Sequence, residues 1–208
     1  MKAARPGGSA AAPPALEELS AAVVCGGRSS RYGSDKATAR VSGRTLLERA
    51  LDSLVDARER LVVGRAYAVE GARFVPDRRP GLGPLAGLEA ALEAATGSWL
   101  ALAACDMPCL TPAYWRLLCA HASGCQVVIV RDPGGRLEPL AALYHRSVLG
   151  EVGVRLDAGT LSMRELVAAV PAREIDAAAV VAACGPGVLR NVNRPGDLEA
   201  LERDGCGS

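Results

Sequence analysis

Aromatic side chains are scarce in this chain: one Phe, two Trp and four Tyr among 208 residues. Its core must therefore be built from Ala, Val and Leu, which suits helices packed closely on a sheet. Histidine is also rare, with only His121 and His145. Neither lies near a GxSxG-like nucleophile, so Ser-His and Cys-His catalysis are set aside. No charge sign dominates. A net charge of +1 gives no reason to expect a nucleic-acid partner or a membrane surface. The longest apolar runs, "WLALAAC" (99–105) and "AAAVVAAC" (177–184), fall well short of the ~18 residues of a membrane span. A secretory signal pattern is missing. So is any CxxC pair among the seven cysteines. Reduced thiols serving as small core residues, in a cytoplasmic protein, are the expectation.

What remains organises itself along the chain. The opening "MKAARPGGSAAAPPA" lacks periodicity, so residues 1–18 are expected to form a disordered leader and 19–208 a single domain. "SAAVV" (20–24) reads as a fully buried strand, "TLLERALDSLV" (45–55) as a helix and "RLVVG" (60–64) as a second strand. Pro84 opens an Ala-rich helix over 85–95 that Gly97 ends. "WLALAACDMP" is the most apolar strand and halts at Asp106. Thr111 and Pro112 start the next helix, and "CQVVIV" (125–130) is a further strand. "LEPLAALYH" follows a DPGG turn, "LSMRELVAAV" (161–170) is amphipathic, and "GVLRNVN" reads as the last strand before a terminal helix. This alternation predicts a three-layer, doubly wound α/β fold with a mainly parallel, Rossmann-like sheet.

Ligands of such sheets bind at the carboxyl ends of the strands. Two unusual stretches fall on that edge. "VVCGGRSSRYGSDK" (23–36) places Gly26 and Gly27 directly after the first strand, where bare amides can face an anion. It is neither a P-loop nor a GxGxxG loop. Arg31, as a forked donor, and Lys36, as a point charge, are placed to reach phosphates beyond it. The plain alternatives are a solvated Lys36 and an Asp35–Arg31 pair. The second stretch ends at Asp106. A carboxylate after so apolar a strand needs a partner or a metal, and hard oxygen ligands beside phosphate suit Mg²⁺. Asp77 lies before the glycine-rich turn at 81–83. It has two readings, contact with a nucleoside or a surface pair with Arg78 or Arg79.

Taken together, "VCGGRSSRYGSDK", "PDRRPGLGPLAGLEAAL", "CDMP" and "NVNRPGDL" resemble the molybdenum cofactor guanylyltransferases, the MobA family. The resemblance runs from Val23 to Leu201 and implies a nucleotidyltransferase fold. The implied reaction joins the GMP part of GTP to molybdopterin-bound molybdenum and releases pyrophosphate. By position, Val24, Cys25 and Gly26 would hold GTP through backbone groups, with Gly27 in the same loop. Lys36 would neutralise phosphate, Asp77 would contact the nucleoside, and Asp106 would bind Mg²⁺ and GTP. Asn191 and Asn193 would lie near the metal or the pterin, and "GRLEPLAALYHR" (135–146) would line the pterin side. Transient contacts with molybdoenzymes or their chaperones are also implied. The chain departs from the pattern at Cys25 (usually Ala), Tyr32 (Met), Arg194 (Thr) and Gly196 (acidic).

Three rival readings stay open at this level. One is a cytidylyltransferase, although Gly26 leaves room beside a purine. Another is a nucleotidyltransferase with a different acceptor. The third is a nucleotide-binding module without catalysis.

Overall fold

In the computed structural model, residues 13–25 and 35–204 are described. In chain order the elements are β1 (Ser20–Cys25), β2 (Arg40–Val41), β3 (Arg44–Thr45), α1 (Leu46–Asp52), β4 (Glu59–Gly64), β5 (Arg73–Pro76) and α2 (Pro84–Ala94). They continue with β6 (Trp99–Ala104), α3 (Pro112–Ala120), β7 (Val127–Arg131), β8 (Ala141–His145), α4 (Leu149–Asp157) and α5 (Met163–Ala169). β9 (Ala172–Asp176), α6 (Ala177–Cys184) and α7 (Pro195–Asp204) complete the order.

A seven-stranded sheet in the order β5-β4-β1-β6-β8-β7-β9 forms the middle layer. β8 runs antiparallel to β6 and β7, and the other pairings are parallel. The expected mainly parallel, three-layer architecture is therefore the one observed. Alternation along β1 shows how it is built. Ala21, Val23 and Cys25 join one apolar cluster with residues of α1, α3 and α6, while Ala22 joins another with residues of α2, α4 and α5.

Trp115 and Tyr114 are buried with their polar tips satisfied. Trp115 Nε1 donates to Ser53 Oγ at 3.0 Å, and the Tyr114 hydroxyl donates to the Ala141 carbonyl at 2.5 Å.

Helix starts follow the local signals. Thr45 and Glu48 form a capping box on α1, and Thr111 caps α3 with Pro112 in its first turn. α2 begins at Pro84 as expected, but ends before Gly97. Gly97 answers a different need: a Cβ there would lie 2.8 Å from the Glu18 carbonyl oxygen.

Other expectations need correction. Residues 187–193 form no strand; only the Val192 N–H reaches across, to the Asp106 carbonyl at 2.7 Å. Leu16 packs into the core, so packed structure starts before the expected boundary at 19. Cys109 is disulfide-bonded, an exception to the reduced thiols expected; Cys25, Cys105, Cys119, Cys125 and Cys184 are free.

A third, smaller cluster of Val41, Leu46, Cys109, Val192 and Leu201 docks the β2–β3 hairpin and α7 beside the end of β6.

Candidate active site

β1 leads outward to β4 and β5, and the chain then crosses back to place β6 on the other side of β1. The order reverses between β1 and β6, where the strand ends leave a crevice in sheets of this kind. β1 ends at Cys25, and Asp106 follows the last residue of β6 by two positions. Gly26, Gly27 and Arg31, which the sequence placed in this crevice, lie outside the described residues.

Where the description resumes, Asp35 caps a short turn that starts with Lys36, accepting the Ala37 N–H at 3.2 Å. Its carboxylate also accepts the Tyr67 hydroxyl at 2.8 and 2.9 Å and pairs with Arg65 at 3.0 Å. Burial first, and then this hydrogen bond, push the Tyr67 phenol up. With its cap so held, Lys36 places Nζ 3.5 Å from Asp106 Oδ2. The two side chains are 15% and 33% exposed. The separation exceeds the ~2.7–2.9 Å of a tight charge-assisted hydrogen bond, so the pair is close without being locked.

The Asp106 backbone does separate work. Its carbonyl accepts the Val192 N–H at 2.7 Å, which draws residues 191–193 to the strand end. Asn191 is half-buried there and Asn193 exposed. The Asn193 and Arg194 N–H groups donate to Asp197 Oδ2 at 2.7 and 2.8 Å. Those two bonds, assisted by the Lys36 charge, hold the Asp197 carboxyl below the usual range. The structure thus brings Lys36, Asp106 and the Asn191–Asn193 segment together.

Val24 packs under α2, which approaches closely because residue 87 is glycine. A Cβ at Gly87 would lie 2.9 Å from Val24 Cγ1. Gly81 and Gly83 have φ of 90° and 77°, a conformation that favours glycine, in the turn that opens α2. Asp77 follows β5, on the same edge but two strands from β1. Its carboxylate accepts the Arg79 N–H at 2.9 Å. The arginine side chains go elsewhere: Arg78 to Glu93, and Arg79 to Glu89 and Asp157. The surface-pair reading of Asp77 is therefore not what forms.

Sequence reasoning overlooked three neighbours. Asp197 carried a signal, being the acid in the first turn of α7. Cys105 lies beside Cys25. The neighbouring thiol, then burial, pushes the Cys25 thiol up, and the interaction lowers Cys105. Glu138, two residues before Leu140, is half-buried. Burial, then Asp132 and more weakly Asp106, raise its carboxyl. Only the sheet pairing reveals this: the Leu140 carbonyl accepts the Ala104 N–H at 2.9 Å, which extends the β6–β8 ladder toward Asp106.

Among the described residues no three His, Cys, Asp or Glu gather as a metal cage. One strand-end carboxylate beside a cation fits a hard ion that takes most of its ligands from phosphate and water. It does not fit a structural zinc site. The arrangement can neutralise and position a polyanion, and among the described residues it offers no nucleophile–base pair.

A family model described as MobA-like NTP transferase domain matches residues 21–184. A probable molybdenum cofactor guanylyltransferase of Deinococcus radiodurans is 42% identical over 190 residues, covering 90% of this chain and 95% of that protein. One from Opitutus terrae is 39% identical over 163 residues, 73% of this chain and 79% of its own. Among solved structures, molybdopterin-guanine dinucleotide biosynthesis protein A of Archaeoglobus fulgidus superposes with a TM-score of 0.75. It is 24% identical, covering 89% of this chain and 98% of that one. At that identity the likeness is one of fold.

Proposed function

Since the chain belongs to the family of MobA-like NTP transferase domains, we propose that it is a molybdenum cofactor guanylyltransferase. Its substrates are GTP and the molybdenum-bound molybdopterin, and its products the guanine dinucleotide cofactor and pyrophosphate. The observation that carries this reading is the 3.5 Å approach of Lys36 to Asp106 at the strand-order reversal. A triphosphate needs a cation and a metal-holding carboxylate side by side, and the approach of Lys36 to Asp106 supports that assignment.

The reaction joins an acceptor phosphate oxygen to the α-phosphorus of GTP. The bond from that phosphorus to the β-phosphate oxygen breaks, and pyrophosphate leaves with the electron pair. An acceptor that is already an anion needs no base, which accords with the missing dyad. The Gly26 and Gly27 amides and the Val24 and Cys25 backbone cradle the nucleotide, with Arg31 gripping phosphate as a fork and Lys36 screening charge. Asp77 contacts the nucleoside. Asp106 would hold Mg²⁺, which would supply charge neutralisation to the triphosphate when bound. Asn191 and Asn193, tied to Asp106 through Val192, line the acceptor side.

The packed chain from Leu16 onward acts as one nucleotidyltransferase domain in this reading. We place it in the cytoplasm, where five of the described cysteines stay free and Cys109 is bonded. No helix among the described residues is long and apolar enough to cross a membrane. The product passes to molybdoenzymes or their chaperones through transient contacts.

The test supplies the purified protein with GTP, Mg²⁺ and molybdenum-bound molybdopterin. Pyrophosphate and the guanine dinucleotide form in equal amounts if the reading holds. GTP bound without release of pyrophosphate overturns it in favour of a binding module, and faster turnover of CTP overturns the base assignment.

A further inference from the structure

Cys25 is the last residue of β1, and Cys105 follows directly on β6. The two strands are parallel neighbours, and their ladder pairs Val24 with Ala104. Continued by one step, that register would set Cys25 opposite Cys105. Neighbouring strands lie about 4.7–4.9 Å apart, within the ~4.4–6.8 Å Cα separation that a disulfide spans. Both thiols are free, and Cys105 is the strongest influence on the Cys25 thiol, as Cys25 is on that of Cys105. Their exposure differs: Cys25 is 2% exposed, whereas Cys105 is partly accessible.

We propose that Cys25 and Cys105 form a reversible oxidation site, joining in a disulfide under a hydroperoxide and thereby lowering nucleotidyl transfer. The Cys105 sulfur attacks a peroxide oxygen. The O–O bond breaks, the departing hydroxide takes up the Cys105 proton as water, and a sulfenic acid remains. The Cys25 sulfur then attacks the Cys105 sulfur. The S–O bond breaks, and hydroxide leaves with the Cys25 proton as a second water. Two thiols lose two electrons in all, and the peroxide gains them.

The bond would join the residue that launches the nucleotide loop to the neighbour of Asp106. Contact between the strand ends becomes covalent, and the spacing between Lys36 and Asp106 is redrawn. Misplacement of reacting groups by about 1 Å costs on the order of 10²-fold in rate. This consequence rests on the nucleotidyl-transfer reading, whereas the cross-link itself does not.

The experiment treats the intact protein with hydrogen peroxide, blocks remaining thiols, and maps peptides by mass spectrometry. Turnover and Mg·GTP affinity are measured before treatment, after it, and after dithiothreitol. The expected result is a peptide pair linking Cys25 to Cys105, with turnover lowered about 10- to 100-fold and restored by dithiothreitol. Cys105→Ala and Cys25→Ala, each compared with its own untreated sample, should show neither cross-link nor reversible loss. If one variant fails to fold, the other still decides. Separate alkylation of both thiols after peroxide, or a bridge confined to Cys119 and Cys125, overturns the proposal. A Cys25–Cys105 bridge that leaves turnover and affinity unchanged overturns its regulatory part. A reduced protein that neither binds nor turns over GTP, yet forms the bridge, counts against the guanylyltransferase reading alone.

Discussion

The Lys36 ammonium stands 3.5 Å from the Asp106 carboxylate, although the chain between them builds β2 through β6. Nothing local arranges this. Lys36 is delivered by a turn whose cap, Asp35, is anchored to Tyr67 and Arg65. Asp106 is delivered by a strand buried along its whole length. The parallel pairing of β1 with β6 makes the two meet.

Asp106→Asn keeps the shape of the side chain and removes its charge. Turnover should fall about 10²–10³-fold, the usual scale for losing one electrostatic stabiliser. The thermal midpoint should hold, because the contact with Val192 uses the backbone carbonyl. Pyrophosphate release and a melting curve on one preparation check both. Near-normal turnover would remove the metal role.

Lys36→Met keeps length and apolar volume while deleting the cation. Its turnover should drop about 10²-fold, with a weaker apparent affinity for Mg·GTP. Lys36→Arg should recover only part, since a planar fork does not replace a compact charge. Steady-state kinetics at varied GTP distinguish the three proteins. Full activity in Lys36→Met would make this a solvated surface lysine.

Gly87→Ala brings a methyl group to 2.9 Å from Val24 Cγ1. α2 must then move off β1, at a cost of roughly 1–3 kcal/mol for overpacking. Chemical denaturation should show that loss, and adding Val24→Ala should relieve part of it. If the loss is the same with and without Val24→Ala, the contact is not what requires glycine.

Much of this was legible in the sequence, and the exceptions have physical reasons. Strands buried on both faces, such as β1 and β6, show as plain apolar runs. Helices opened by Thr111–Pro112 or Thr45 with Glu48 show through their caps. β9 did not show, because only Ile175 of its five residues is buried. β5 is a short edge strand whose Phe74 is 41% exposed. "GVLRNVN" looked like a strand because Val188 and Val192 are both buried, yet they pack in two different clusters. Asp106 was readable from its own strand. Its approach to Lys36, and the neighbouring Glu138, depend on pairings that no single stretch encodes.

Glu59 gives a pH test at the opposite edge of the sheet. Burial alone would raise its carboxyl. Hydrogen bonds from Ser20, from the Thr96 N–H and hydroxyl, and from Arg73 outweigh burial and hold it at about 2 against an ordinary 4.5. A depressed carboxyl stabilises the fold above its unfolded pKa, and that contribution is lost as pH falls through the folded value. Stability should therefore drop between about pH 4.5 and 2 by on the order of 1–2 kcal/mol, allowing for solvent screening. Urea midpoints of wild type and Glu59→Gln across that range check it. The wild type should lose more, and parallel losses would remove Glu59 as the cause.

The most direct test soaks crystals with Mn²⁺ and a GTP analogue that resists cleavage, and maps the metal by anomalous scattering. The expected peak lies within bonding distance of an Asp106 carboxylate oxygen and of the analogue's phosphates, with Lys36 Nζ beside them. A peak elsewhere, or a triphosphate that touches only one of those two residues, would contradict the shared pocket.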